Sequence, residues 1–341
     1  MHKFFLRFNL VLVTLLGLLL ISSFSVSAQT KAGFTVKPVQ SDTNNHKDYF
    51  ELKVNPATVQ TMKITIKNTS SSLKTFKVEP NTAYTGASGL IQYNLRNTGK
   101  KVKGKLLFSK MAGHVQRVSL KAGKSKTLTF KIKIPEKSFS GTVVGGLYIK
   151  EETNNQDEKK SSSKSSSGIQ LKNTYAVAIP VFLSEQDKVV HTKLLLENVK
   201  PASSNKVPVI LAKISNQTPT VFGQLKITSE VLDSDGSTVI SKSSKTNMQM
   251  APNSNFNYAI STNDKSIKAG KYTLKLEAQS GSRHWDFSKK FTISKKTAAR
   301  VNKKIVTKHN YSWIWFSLAA LIVLLLLALA YWLGKRRNFK K

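Results

Sequence analysis

Glycine-rich stretches can bind phosphate, and the chain has one such candidate in FSGTVVGGLYI, residues 139–149. A phosphate-binding loop needs the pattern GxxxxGK[ST] between a strand and a helix. Here Gly146 is followed by apolar residues, without the lysine, the hydroxyl residue or a helical pattern. We therefore interpret the stretch as a turn into a strand, whose glycines permit a bulge or close sheet packing.

Sequence motifs for catalysis and metal binding are missing. The chain has no cysteine and no HExxH or GxSxG pattern. The lack of cysteine excludes thiolate catalysis and cysteine zinc sites. The segment Asp233–Gly236 resembles the start of a calcium loop, but Ser244 occupies the position that needs a bidentate glutamate. A β-turn is the better interpretation. We predict a protein that is not an enzyme and that has no catalytic residue, cofactor or metal.

The elements that would position any site are strands, because apolar and polar residues alternate along most of the chain. In TLTFKIKIP, for example, Leu128, Phe130 and Ile132 alternate with threonine and lysine. Such alternation is typical of half-buried antiparallel strands, and turn signals separate the strands. The sequence predicts an all-β fold with two Ig-like β-sandwich domains in tandem.

One segment breaks the alternation. Residues 151–168 are rich in serine and lysine and contain no apolar residue, so they cannot bury enough area to offset their ordering entropy. They form either an interdomain linker or a long hairpin loop. We favour the hairpin, with residues 169–185 as the last strand of the first domain. The predicted domains are 31–155 and 165–297, followed by a basic stalk at 298–311.

A short internal similarity supports two related domains. MKITIKNTSSSLKTFKVEP and VILAKISNQTPTVFGQLKITSEV each have the order strand, turn, strand. Asn68 and Asn216 occupy matching positions in the two turns.

Both ends of the chain carry membrane signals. Residues 1–28 have a basic start, an apolar run and small residues before the cleavage position, as in a secretory signal peptide. Residues 313–333 form an uncharged apolar run that is long enough to cross the membrane as one helix. The tail, 334–341, carries five basic residues and no acid, which predicts a cytoplasmic tail and extracellular domains. The predicted localisation is the cell membrane, with a single span.

Positive charge is the strongest feature of the composition. The net charge is +36, and seven basic residues lie in the signal and the tail, which leaves +29 on the outer part. Such a charge attracts polyanions. We expect anionic cell-wall polymers as partners and no nucleic acid, because the protein would be anchored outside the cell. The alternative is a solvated lysine-rich surface that confers only solubility.

Several segments of the chain resemble the WxL-interacting proteins of low-GC Gram-positive bacteria, whose two domains were long known only as domains of unknown function. The segments include GFTVKPV, DYFELKVNPATVQTMKITIKNTS, NTAYTGASGLIQYN, IPEKSFSGTVVGGLYI, NMQMAPNSNFNYAI and IKAGKYTLKLEA. The resemblance implies a noncatalytic adaptor. Its first domain would bind peptidoglycan, and its second would bind WxL-domain surface proteins or host matrix proteins. An adhesin for host matrix is the alternative, and an enzyme acting on wall glycan is a third hypothesis.

The candidate partner-binding residues are exposed aromatic and basic side chains in the first domain, and methionine, amide and aromatic side chains in the second. Methionine and aromatic side chains would suit adaptable protein contacts. In the second domain, the methionines and the phenylalanine have an alternative place in the core, into which strand alternation would bring them. The candidates are Tyr84, Tyr93, Arg96, Met248, Met250, Asn253, Asn255 and Phe256.

Overall fold

The computed structural model describes residues 33–40, 47–152, 175–185, 190–205, 207–262, 266–303, 315–325 and 328. Most of these residues lie in strands, which confirms the prediction of a mainly β protein. The predicted signal peptide, most of the Ser/Lys segment and the basic tail lie outside the described residues.

The first β-sandwich contains ten strands. They are β1 (Phe34–Val39), β2 (Phe50–Lys53), β3 (Val59–Asn68), β4 (Lys74–Thr82), β5 (Tyr84–Thr85), β6 (Ile91–Gln92), β7 (Gln116–Leu120), β8 (Ser125–Lys133), β9 (Thr142–Glu151) and β10 (Ala176–Ser184). One sheet has the order β1-β3-β8 and the other has the order β2-β10-β9-β4-β7, while β5 and β6 form a small hairpin.

The core of the first sandwich forms from the alternating residues of these strands. In β8, Leu128, Phe130 and Ile132 are buried and the residues between them are exposed. The short helix α1 (Phe108–Met111) adds Phe108, which is fully buried. The period of two in the sequence therefore becomes one apolar face on each strand.

Strand β10 lies antiparallel beside β9, with Ala176 opposite Lys150 and Ser184 opposite Thr142. It also pairs in parallel with β2. The residues that follow the Ser/Lys segment therefore belong to the first sandwich, and the chain enters the second sandwich after β10.

The second β-sandwich contains seven strands. They are β11 (Leu194–Ser204), β12 (Val207–Asn216), β13 (Phe222–Leu232), β14 (Val239–Met250), β15 (Asn255–Ser261), β16 (Gly270–Ser280) and β17 (Arg283–Ile293). The two sheets have the orders β11-β12-β15 and β14-β13-β16-β17. Their facing sides enclose a second apolar core.

Helix α2 (Lys295–Asn302) overlaps the start of the predicted stalk and packs against the second core. Ser294 caps its first turn by accepting a hydrogen bond from the Thr297 amide. Ala298 and Val301 lie three residues apart on one face and are buried. Residues 298–302 are therefore part of the second domain, which is a correction to the predicted stalk.

Asn68 and Asn216 make the same set of hydrogen bonds in the two sandwiches. Each side-chain nitrogen donates to two carbonyls, and each side-chain oxygen accepts from the amide and the hydroxyl two residues later. The nitrogen acceptors are Ser72 O and Leu120 O for Asn68, and Thr220 O and Ala251 O for Asn216. The oxygen donors are the amide and hydroxyl of Ser70 and of Thr218. The short sequence similarity thus corresponds to one shared loop structure.

Within the predicted membrane span, residues 315–325 are helical. Across the part of the chain that the structure describes, no helix is both long and apolar enough to cross a membrane.

Candidate functional site at the domain interface

The two groups of candidate residues lie on segments that meet between the sandwiches. The first segment connects β4 to α1 and includes the β5–β6 hairpin. The second consists of the end of β14, residues 251–254 and the start of β15. Main-chain hydrogen bonds join them: the amide of Gln249 donates to Gly89 O over 2.6 Å, and the amide of Lys103 donates to Asn253 O over 2.8 Å. Val102 and Ser254 form an isolated antiparallel bridge. Main-chain hydrogen bonds of the kind found between β-strands therefore join the two domains.

A pair of buried hydroxyl groups lies at the centre of this interface. Thr85 and Ser254 are both fully buried, and their hydroxyl oxygens are 2.5 Å apart. Thr85 Oγ1 also accepts from the amide of Ala251, while the Ser254 hydroxyl donates to Ala251 O. Because buried polar groups are costly when unpaired, this network favours one relative position of the domains.

Asparagine side chains extend the contact on both sides of the hydroxyl pair. Asn255 Nδ2 donates to Lys100 O over 2.8 Å and is 3.2 Å from Lys101 O. The Asn253 side chain packs on Gly104, where an added Cβ would lie 2.9 Å from its Nδ2 atom. Both candidate residues thus contact the first domain.

Tyr84 is 4% exposed, so the expectation of an exposed aromatic ring is wrong at this position. Its hydroxyl donates to Asn94 Oδ1 over 2.5 Å, and Lys101 Nζ lies 5.1 Å from the centre of its ring. Burial, with a smaller contribution from Tyr148, raises the pKa of Tyr84. The ring packs within the β5–β6 hairpin because the strand faces the interface.

Tyr93 and Arg96 also support this segment from within the first domain. Asn81 donates to Tyr93 O, and burial raises the pKa of Tyr93 to about 12. Arg96 remains exposed, but its guanidinium donates to Pro80 O and to Gly113 O. Arg96 therefore joins its own loop to β4 and to the segment after α1, while presenting a charge to solvent.

The three candidates with apolar side chains in the second domain lie in its core, which was their alternative place. Met250 is fully buried, and Phe256 is 5% exposed. Met248 is buried as well, and its Sδ would lie 2.6 Å from a Cβ on Gly89. Met248 thus reaches the interface, whereas Met250 and Phe256 stabilise the second sandwich. Partner binding by the eight candidates stays a prediction.

The glycine-rich stretch at residues 139–149 also lies at this junction. An added Cβ on Gly145 would lie 2.0 Å from Phe108 Cδ1, and one on Gly146 would lie 2.7 Å from Tyr93 Cδ1. Gly141 has a φ of +82° and faces Pro219 O of the second domain. These glycines allow close packing on both faces of β9 and at the interface.

An ion-pair cluster closes one edge of the interface. Glu197 accepts from Lys103 of the first domain over 2.5 Å and from Lys213 of its own domain over 2.7 Å. Burial alone would raise the pKa of Glu197, but the hydrogen bonds and charges of both lysines outweigh it and lower the pKa to about 2. The carboxylate is therefore ionised at physiological pH and joins the two domains.

A cavity of about 250 Å³ lies beside these contacts. Its lining is mainly apolar and comes from both domains, and includes Ala83, Val102, Leu106, Phe139, Val144 and Pro219. Among the described residues, no cluster of three or more His, Asp or Glu side chains could hold a metal ion.

Sequence reasoning missed Thr85, Ser254 and Glu197 as interface residues. Thr85 and Ser254 are 169 positions apart, and neither has a local signal that marks its partner. Small hydroxyl residues occur throughout the chain, so their pairing depends on the relative position of the domains.

The fold and the interface define a two-domain β-sandwich protein with a fixed junction and no recognisable catalytic centre in the described residues. Residues 34–151 match the model of the WxL Interacting Protein, peptidoglycan binding domain, and residues 166–303 match that of the WxL Interacting Protein, host binding domain. The chain belongs to the WxL-interacting protein family, which confirms the resemblance and its domain order. The second match begins before β10, although β10 lies in the first sandwich.

Solved structures with some similarity include several chaperones and a PapD-like domain. One is a chaperone–tip adhesin complex of CFA/I fimbriae biogenesis, with 12% identity, a TM-score of 0.30 and coverage of 76% of this chain and 98% of that chain. The E. coli chaperone DraB has 15% identity, a TM-score of 0.27 and coverage of 76% and 97%. A PapD-like domain of human CEP192 has 9% identity, a TM-score of 0.27 and coverage of 49% and 97%. No curated protein matches the chain.

Proposed function

We propose that the chain is a noncatalytic, membrane-anchored adaptor that binds peptidoglycan and tethers WxL-domain surface proteins at the cell wall. The observation that carries this proposal is the order of the two matched binding domains, at 34–151 and 166–303. The apolar run at 313–333 would anchor the protein, and the tail at 334–341 would lie in the cytoplasm.

The domain interface supports an adaptor because direct contacts join the two binding domains. Main-chain hydrogen bonds, the Thr85–Ser254 pair and the Glu197 cluster all act across it. A fixed junction would hold a protein partner at a constant orientation to the wall. It would also reduce the conformational entropy that is lost when both ligands bind.

The test uses the full-length protein in detergent, incubated with purified wall sacculi and with a WxL-domain protein. We expect it to sediment with sacculi and to carry the WxL-domain protein into the pellet. A heat-unfolded sample is the control for nonspecific adsorption. Failure of the folded protein to bind either ligand would contradict the adaptor function.

The anchor needs a separate test, because wall binding can occur without it. We expect the protein in cells to fractionate with membranes and to resist alkaline extraction. Protease added outside intact cells should remove the two domains and leave the tail protected. Release of the intact protein by alkali would contradict a membrane span.

Binding to host matrix is the second candidate function, and the match of residues 166–303 to a host binding domain favours it. The measurement is binding of immobilised fibronectin and collagen at physiological salt. Tight binding that resists added salt would support an adhesin. Loss of binding at modest salt would identify nonspecific charge attraction instead.

A further inference from the structure

The sheet β1-β3-β8 has an outer face built almost entirely from lysine and threonine, which we name the Lys/Thr face. Strand alternation turns thirteen residues outward on these strands, and none of them is acidic. They are Thr35, Lys37, Val39, Val59, Thr61, Lys63, Thr65, Lys67, Ser125, Thr127, Thr129, Lys131 and Lys133. All are exposed except Thr65, which is half-buried.

The register spreads the five lysines across the face. Lys37 is opposite Thr65, and Lys63 is opposite both Val39 and Thr129. Neighbouring strands lie about 4.8 Å apart and alternate residues about 7 Å apart, so each lysine has another within roughly 7–9 Å. This spacing is comparable to the Debye length at physiological salt, about 8 Å, so the positive potentials reinforce one another.

The five lysines of the Lys/Thr face form no ion pair with an acidic residue in the described part of the chain. The ion pairs found there all involve other basic residues. The other sheets differ. On the five-stranded sheet Lys77 pairs with Glu79, and on the four-stranded sheet Lys242 pairs with Glu230. A surface that served only for solubility would carry both basic and acidic residues. The five-stranded and four-stranded sheets do so, but the Lys/Thr face does not.

We propose that the Lys/Thr face binds a linear polyphosphodiester of the cell wall, a poly(alditol phosphate) chain. A flat, exposed face with several separated cations fits an extended polyanion, because each contact is weak and many contacts act together. Phosphodiesters keep one negative charge per repeat, and threonine hydroxyls can donate to their free oxygens. The inference rests on one part of the proposed function, namely that the protein is located at the cell wall.

The test compares two full-length variants with the same change in charge. One replaces Lys37, Lys63, Lys67 and Lys131 with glutamine on the Lys/Thr face. The matched control replaces Lys226, Lys271, Lys275 and Lys290, which are exposed on the four-stranded sheet of the second domain. Circular dichroism and thermal melting establish that both variants are folded.

Binding is measured to wall sacculi before and after hydrofluoric acid removes their phosphodiester-linked polymers, and to isolated poly(glycerol phosphate). We expect the wild type and the control to bind the untreated sacculi and the isolated polymer. The first variant should bind both roughly tenfold or more weakly at physiological salt, with a shallower dependence on salt. Stripped sacculi should bind all three proteins equally through the peptidoglycan-binding function.

Two results would overturn the inference. Equal weakening in both variants would identify general charge attraction. The first variant could also lose as much affinity for stripped sacculi as for untreated sacculi. That result would show that the Lys/Thr face binds peptidoglycan carboxylates. Failure of the wild type on stripped sacculi, with polymer binding intact, would contradict the proposed peptidoglycan binding and leave this inference standing.

Discussion

At the scale of single residues, the ring of Phe108 leaves no space for a side chain at position 145, which is a glycine. Gly145→Ala would place a methyl group 2.0 Å from Phe108 Cδ1 in the present geometry. Because the ring is fully buried, it has little room to move. We expect a loss of about 1–3 kcal/mol in the free energy of unfolding, as for other overpacked cores. Urea denaturation of the full-length protein in detergent measures it.

The matched control is Gly223→Ala, also in a strand. There the nearest atom to an added Cβ is Gln249 Cγ at 3.7 Å, an ordinary contact. Stability should change little or increase slightly, because alanine restricts the unfolded chain. Equal losses in both variants would show that the Phe108 contact is not the cause.

The buried hydroxyl of Thr85 gives the second prediction at this scale. Thr85→Val keeps the shape of the side chain but leaves the Ala251 amide without its acceptor. We expect destabilisation of about 1–3 kcal/mol and faster hydrogen exchange of the Ala251 amide.

Thr75→Val is the control for this substitution, since Thr75 pairs with Ser119 in a similar hydroxyl contact that is exposed to solvent. Exposed substitutions of this kind usually change stability by less than about 0.5 kcal/mol. If Ala251 exchanged at the wild-type rate in Thr85→Val, the hydroxyl pair would have no role in joining the domains.

At the scale of elements, Asn68 and Asn216 organise the same loop in two different surroundings. Replacing either with alanine removes four side-chain hydrogen bonds, with two carbonyls, one amide and one hydroxyl. We expect each change to cost about 2–4 kcal/mol, since each net hydrogen bond contributes about 1 kcal/mol. Only Asn216 holds Ala251 O, so only Asn216→Ala should also loosen the interface. Hydrogen exchange at the interface measures the difference, and equal protection in both variants would contradict it.

These elements show what could be predicted from the sequence. Strands such as β8 were predictable because one buried face requires alternation, and the paired asparagines were predictable because each turn repeats a local pattern. Helix α2 was not, since only Ala298 and Val301 carry its apolar face in a lysine-rich segment. The burial of Tyr84 was also not predictable, because it depends on a hairpin that packs against its own sheet and on the second domain.

At the scale of the whole molecule, the interface and the charge distribution have separate roles. The residues that join the domains are mostly buried and uncharged, apart from the Glu197 cluster. The five lysines of the Lys/Thr face, which form no ion pair, lie instead on the outer side of the first domain. Salt should therefore weaken attraction to polyanions without separating the domains, because buried contacts are screened much less than exposed charges.

The Glu197 cluster predicts how the junction responds to acid. Its pKa is lowered from 4.5 to about 2, so the folded protein binds fewer protons than the unfolded chain between these values. The stabilisation is therefore complete above about pH 5 and is lost as the pH falls through 2. Glu197→Gln should cost about 2 kcal/mol at pH 7, and the difference from wild type should shrink on acidification. Thermal melting at a series of pH values from 7 to 2 measures this difference. The control is Glu51→Gln, since Glu51 forms an exposed ion pair with Lys47 within one domain. A difference that stayed constant with pH would mean that the carboxylate charge does not join the domains.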